Sequence, residues 1–315
     1  MTTLVTGANG FVGSALCVRL SKDGAPVRGA VRSSNALTDG TEGVAIGCLA
    51  SVTDWSEALK DVEQVVHLAA RVHVMDDKSS DPLAEFRRVN VEGTDNLARQ
   101  AAKAGVKRFV FLSSIKVNGE FTEIGKSFTV DDAPAPEDPY GVSKYEAEQL
   151  LRQIAAETGM EVVIIRPPLV YGPGVKANFE SMMSWLARGV PLPLAAVTQN
   201  SRSLVALDNL VDLILSCLHH PAAANQTFLV SDGEDISTAE LLKRMAAAMG
   251  KQARLFYVTP ALLKLGARLL NRPGIYQRLC GSLQLDITKT RQLLGWIPPV
   301  SVDEGLRRAA EGFYP

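Results

Sequence analysis

Tyr140 and Lys144 stand four residues apart in Tyr140-Gly141-Val142-Ser143-Lys144. On a helix that spacing puts a phenol and an ammonium on one face, roughly 5–6 Å apart at Cβ. A cation that close favours phenolate and lowers the tyrosine pKa from about 10, so the two can act as one proton-transfer unit. Ser114, a serine at the end of an apolar run of strand length, stands between this pair and the chain's amino-terminal end. Ahead of them all lies Thr6-Gly7-Ala8-Asn9-Gly10-Phe11-Val12-Gly13. This glycine-rich stretch follows one apolar segment and opens another of helical period, so its backbone N–H groups and the helix dipole face a diphosphate. Its spacing is Gly-x-x-Gly-x-x-Gly rather than Gly-x-Gly-x-x-Gly.

The elements that must position these residues alternate. Residues 3–5, 27–31, 44–46, 64–69, 109–113 and 162–166 read as short strands, that at 64–69 buried. Residues 11–22, 54–59, 81–104 and 140–157 carry apolar positions at helical spacing. Regular alternation predicts an α/β fold, a Rossmann doubly wound parallel sheet covered by helices on both faces. After Arg166 the texture changes. Prolines 167, 168, 173, 191 and 193 break the pattern around a helix at 179–186, and strand–helix–strand order returns at 203–207, 208–218 and 228–230. Amphipathic helices follow at 238–249, 260–270, 288–294 and 302–311. The expected division is a dinucleotide-binding domain of residues 1–170 and 199–232, with a smaller α/β substrate-binding domain of residues 171–198 and 233–315. The smaller domain would pack over the carboxyl edge of the sheet, where open α/β sheets bind ligands.

At 315 residues, 46% hydrophobic and 21% charged, the chain has the composition of an ordinary globular protein. A net charge of -1 with scattered Lys and Arg gives no reason to invoke nucleic acid. No apolar run approaches the ~18 residues needed to span a bilayer. Cys17, Cys48, Cys217 and Cys280 are far apart and form no metal-ligand cluster, so they read as reduced thiols. The chain enters a strand at Met1-Thr2-Thr3-Leu4 without a leader pattern. The expectation is a cytoplasmic protein without a metal.

Five ordered motifs carry a resemblance: the glycine stretch at 6–13; His67-Leu68-Ala69-Ala70; Ser113-Ser114 with Val117-Asn118-Gly119; Tyr140 to Lys144; and Arg166-Pro167-Pro168 running to Gly174. Arg202 to Asp208 and Leu294-Gly295-Trp296-Ile297-Pro298 extend it to the carboxyl end. The whole chain resembles the extended short-chain dehydrogenase/reductases, the family of nucleotide-sugar epimerases, dehydratases and reductases. The resemblance implies that Tyr140 is the acid/base on a sugar oxygen, that Lys144 tunes it and bonds the nicotinamide ribose, and that Ser114 rather than Ser113 holds the reacting oxygen. It implies cofactor contacts from Gly7, Gly10, Phe11, Val12, Gly13, Arg32, Ser33, Leu49, Leu68, Ala69, Ala70, Asn90 and Pro167. For Asn90 an interior amide bonded to backbone is an equal reading. On the substrate side the resemblance places Arg71, Asn178, Arg202 and Arg278, with His73 nearby, and an exposed surface arginine is an equal reading for Arg278.

Departures from the family pattern are informative. Cys48 stands where an Asp often touches adenine, and Asn118 where a tyrosine is usual. Ile115-Lys116 replaces the Asp-Glu pair with which the family's dehydratases remove water, so dehydration lacks its acid and base. The second strand ends in Arg32-Ser33-Ser34 instead of the acid that selects NAD by its ribose hydroxyls, which favours NADP(H) while leaving NAD(H) possible. Within the family, residues 67–74 and 203–214 most resemble enzymes of surface-polysaccharide (O-antigen) biosynthesis that form UDP-N-acetylquinovosamine. The expectation is therefore a UDP-sugar oxidoreductase that reduces a 4-keto-6-deoxy-N-acetylhexosamine at carbon 4. A UDP-sugar 4-epimerase and a non-catalytic dinucleotide-binding regulator are the alternatives. The resemblance further implies a homodimer formed through the helices at 81–104 and 140–157.

Overall fold

The computed structural model describes residues 1–33, 37, 40–72, 81–270 and 273–313; Ser34 and His73 lie outside them. In chain order the first half is β1 (Thr2–Thr6), α1 (Phe11–Lys22), β2 (Val27–Val31), β3 (Thr41–Ala45), β4 (Val62–His67), α2 (Pro82–Phe86), a π-helical turn Arg87–Glu92, α3 (Gly93–Lys103), β5 (Arg108–Leu112), α4 (Pro139–Thr158) and β6 (Glu161–Arg166). The second half is β7 (Leu169–Tyr171), α5 (Ala177–Ala187), β8 (Arg202–Ala206), α6 (Leu207–His219), β9 (Thr227–Leu229), β10 (Asp235–Ile236), α7 (Thr238–Ala248), α8 (Pro260–Leu269), α9 (Pro273–Cys280), α10 (Thr288–Leu294) and α11 (Val302–Glu311).

Seven strands form a parallel sheet in the order β3-β2-β1-β4-β5-β6-β9. Its central strands, β1, β4, β5 and β6, are buried almost along their length because both faces are covered, whereas the edge strand β3 is largely exposed. One core joins α1 and α6 to the sheet through Leu16, Leu20, Leu213 and Ile214. The other joins α3 and α4 through Leu97, Ala101, Leu151 and Ile154. The chain runs outward from β1 in one direction and from β4 in the other, so β1 and β4 flank the crevice where a doubly wound sheet binds its ligand. A three-stranded sheet, β10-β8-β7, lies over a third core that includes Phe179, Leu204, Leu242 and Leu306.

Two expected elements differ. Residues 54–59 form hydrogen-bonded turns rather than a helix. Asp54 Oδ1 accepts the Ser56 N–H at 2.9 Å, a local bond that competes with helix, and the fully buried Trp55 anchors the turn in the core. The long helix expected over 81–104 contains the π turn, a device that recurs at functional sites. Here it carries the buried Asn90.

α4 shows how sequence aims the catalytic face. Asp138 caps it by accepting the Gly141 N–H at 2.6 Å, Pro139 occupies the first turn, and Gly159 ends it at φ 74°. Gly141 is required because a Cβ there would lie 2.9 Å from the Lys116 carbonyl. That close approach sets the first turn of α4, with Tyr140, against the segment after β5 that carries Ser114.

Candidate active site

The glycine loop closes on itself and on the segment after β4. Gly7 adopts φ 65°, and a Cβ on it would sit 3.1 Å from the Ala69 nitrogen. A Cβ on Gly13 would stand 2.1 Å from the Gly7 carbonyl, so the tight turn into α1 admits only glycine. Gly10 caps α1 without a side chain, and no acid occupies the first turn. The exposed end of this helix therefore offers backbone N–H groups and positive dipole to an anionic ligand. Phe11 and Val12 pack against the core beneath. This cradle fits the diphosphate of a dinucleotide.

The segment Leu68–Arg71 is fixed from both sides. Leu68 and Ala69 each donate an N–H to Thr6 Oγ1 at 3.1 Å. Having accepted twice, the Thr6 hydroxyl turns its own hydrogen to His67 Nδ1 at 2.7 Å. The imidazole proton therefore sits on Nε2 and is donated to Thr94 Oγ1 at 3.0 Å, and Thr94 donates to the Asn90 carbonyl at 2.7 Å. The Asn90 side chain accepts the Arg71 N–H at 2.7 Å and donates at 3.0 Å both to the Arg71 carbonyl and to Ser143 Oγ. Both amide hydrogens are thus spent within the protein, which leaves Oδ1, with one further lone pair, as the atom through which Asn90 would meet a cofactor. Asn90 also joins the floor of the crevice to α4, because Ser143 Oγ donates to the Tyr140 carbonyl at 2.8 Å.

Tyr140 is half-buried, its ring 6.0 Å from that of Phe86 and edge-on to it. The Arg71 guanidinium covers the Phe86 ring at 5.5 Å, which brings Arg71 to the catalytic face. Lys144 Nζ donates to the Leu112 carbonyl at 2.8 Å and lies 4.4 Å from the centre of the Phe111 ring. It is 6.0 Å from the Tyr140 ring centre. Burial pushes Lys144 down to about 7, with Glu148 opposing. Burial and then Asp138 push the Tyr140 phenol up, contrary to the lowering expected from its cationic neighbour. The reason is that the same desolvation that penalises phenolate also weakens the ammonium meant to stabilise it.

Ser113 and Ser114 separate by environment. Ser113 is buried and donates to Glu148 Oε1 at 2.6 Å. Ser114 is half-buried, and among the described residues its Oγ takes part in one long 3.2 Å bond, accepted from the Lys116 N–H, so its hydrogen can turn to a ligand. Pro167 braces the turn by accepting the Ile115 N–H at 3.0 Å. Asn118 lies in a buried network, accepting from Arg166 at 2.9 Å and donating to the Thr129 carbonyl at 2.8 Å.

Arg32 and Ser33 are exposed directly after β2. Leu49 is a core residue packed against Gly93, where a Cβ would come within 2.7 Å of it. Arg202 donates to the carbonyls of Arg278 and Gly281 at 3.2 and 3.0 Å, and burial lowers its pKa. The Arg278 side chain is exposed and bonds the Gly274 carbonyl. Asn178, exposed on the first turn of α5, takes no part in those bonds.

The profile of the NAD dependent epimerase/dehydratase family matches residues 3–231. The chain belongs to that family. It is 50% identical over 311 residues to a UDP-glucose 4-epimerase of Vibrio cholerae, covering 98% of this chain and 94% of that one. MoeE5 solved with UDP-glucuronic acid and NAD superposes with a TM-score of 0.79 at 27% identity, covering 99% and 98% of the two chains. The UDP-glucose 4-epimerase of Thermotoga maritima, solved with UDP-glucose, gives 0.77 at 25% identity with the same coverage. Among the described residues no group of His, Cys, Asp or Glu could hold a metal, and no helix is long and apolar enough to cross a membrane.

In this family member His67 is neutral by construction. Burial and then Lys144 push it from 6.5 to about 3. A folded pKa below the unfolded value gives stability that is present above pH 6.5 and lost as pH falls toward 3. Urea unfolding across that window should show a steeper acid loss for the parent than for His67→Gln, since the carboxylates are common to both. Parallel pH profiles would remove His67 from the account.

Proposed function

We propose that this enzyme is a UDP-hexose 4-epimerase that interconverts UDP-glucose and UDP-galactose. Half-identity to the Vibrio cholerae epimerase over nearly the whole chain carries the reading. Tyr140 exchanges a proton with the sugar 4-oxygen, as base in its phenolate form and then as acid. Ser114 donates its free hydrogen to the same oxygen. Lys144, anchored on Leu112, keeps N–H groups available to orient the phenol and a ribose. A nicotinamide dinucleotide held by the loop at 6–13 and the segment 68–70 would supply a hydride acceptor and donor for carbon 4. Epimerisation requires the keto sugar to turn over between the two transfers, so the substrate is held by its diphosphate, for which Arg202 is the candidate. Removal of water lacks a carboxylate pair: Lys116 follows Ser114 and is itself held by Glu120 and Asp138, at 2.8 and 2.5 Å.

The expected 4-keto-sugar reductase uses the same residues but gives way, because the relative at 50% identity is named as an epimerase. Incubation with UDP-glucose should yield UDP-galactose without net change in nicotinamide absorbance. Stoichiometric oxidation of reduced cofactor by a UDP-4-keto-6-deoxyhexosamine, with no such interconversion, would restore the reductase.

The reading includes NAD(H) as the cofactor, held by the loop at 6–13 and the segment 68–70, and Arg32 as a cation that also admits the 2′-phosphate of NADP(H). Arg32→Asp should weaken NADP(H) far more than NAD(H), by roughly tenfold or more in the ratio of dissociation constants for the loss of one charge-assisted contact. An unchanged ratio in parallel titrations means Arg32 does not read the phosphate. The proposal also takes residues 1–170 and 199–232 as the cofactor part and residues 171–198 and 233–315 as the nucleotide-sugar part of a cytoplasmic homodimer.

A further inference from the structure

α8 has no buried residue, and its outer face is apolar. Leu262, Leu265 and Leu269 follow one another at spacings of three and four, which aligns them in one stripe. Leu265 is 53% exposed, Leu269 79% and, just ahead of the helix, Tyr257 73%. At about 100° per residue, Lys264 and Arg268 fall together along one flank of that stripe. The surrounding sequence is charged with one sign. Between residues 251 and 285 stand Lys251, Arg254, Lys264, Arg268, Arg272 and Arg278, with no Asp or Glu, in a chain whose net charge is -1.

We infer that the face of α8, with the exposed aromatics at 256–257, docks on the surface of an anionic bilayer. A helix with a leucine stripe, flanking cations and adjacent aromatic rings lies in the headgroup plane, its apolar side among the acyl chains and its cations on lipid phosphates. It is too short to span. A second copy of this chain is the poorer occupant: a two-fold contact through this face would set the same cations against each other with no carboxylate in the segment to offset them. The backbone from 254 to 256 is tied to Leu192 and Ala195 by hydrogen bonds of 2.9 to 3.2 Å, so the surface is fixed to the body of the enzyme. The segment ends at the carbonyls of Arg278 and Gly281 that Arg202 binds, so docking brings the diphosphate side of the site toward the membrane.

The test is co-sedimentation of the full chain with vesicles of phosphatidylcholine alone and of equal parts phosphatidylglycerol and phosphatidylcholine. The partition coefficient should be about tenfold higher on the anionic vesicles and fall as salt is raised. Leu265→Glu/Leu269→Glu should abolish binding while keeping the parent's thermal midpoint, since neither side chain is buried. Equal partition on both vesicles, or equal binding by parent and variant, overturns the inference. So does an oligomer that the variant dissolves when neither protein binds vesicles, which assigns the stripe to a second copy.

Discussion

Tyr140→Phe should lower turnover roughly 10²–10⁴-fold while dinucleotide affinity stays near that of the parent, the range expected when a general acid/base is removed. The substitution deletes one oxygen and leaves the ring against Phe86, so α4 keeps its packing. The loss should fall on kcat, because the phenol acts on the sugar oxygen during the chemical step and the diphosphate is held elsewhere. Rate measurements at saturating UDP-glucose, beside a cofactor titration of both proteins, decide it. A variant within a few-fold of the parent rate takes Tyr140 out of the mechanism.

The second large effect lies one residue from the site. Glu148 is fully buried, and Arg166 meets it with two hydrogen bonds, Nε at 2.9 Å and Nη2 at 2.5 Å. Ser113 and Asn118 join the network, and the half-exposed Arg152 reaches Glu148 Oε2 at a longer 3.3 Å. Arg166→Met should cost roughly 3 kcal/mol, the low end for a broken buried pair, because the carboxylate keeps only the longer contact with Arg152. Replacing both partners, as Glu148→Leu/Arg166→Met, should cost much less than the sum of the two single changes, since no charge is then stranded. Urea unfolding of the three variants measures this. A single-variant loss below about 1 kcal/mol would mean that Arg152 alone suffices to hold the buried Glu148 carboxylate.

What the sequence made legible follows from range of interaction. The order of β1 through β6, the glycine turn and the placement of Tyr140 on α4 depend on neighbours within a few residues, and periodicity reports those. The choice of Ser114 over Ser113 came from the family motif, and the structure supplies its physical side: one hydroxyl is consumed by Glu148 and the other is not. The chain from Thr6 through His67 and Thr94 to Asn90 was not legible, because it joins residues 61 and 27 positions apart whose types are ordinary in a core. His67 was visible only as part of a motif. The expected lowering of the Tyr140 pKa by Lys144 fails for the same reason. Spacing shows which charges are near, but burial sets whether they remain charged, and the Leu112 carbonyl that holds Nζ lies 32 residues away. The place of Asn118 in a buried network was not legible because its partner Arg166 is 48 residues distant.

The central claim is that carbon 4 loses and regains its own hydrogen inside one site. UDP-glucose carrying deuterium at carbon 4 tests it most directly. The account predicts UDP-galactose that keeps the deuterium at carbon 4 through many turnovers, with the amount of cofactor unchanged. Product whose label has exchanged with water, or no product while a UDP-4-keto-6-deoxyhexosamine consumes reduced nicotinamide one for one, would contradict it.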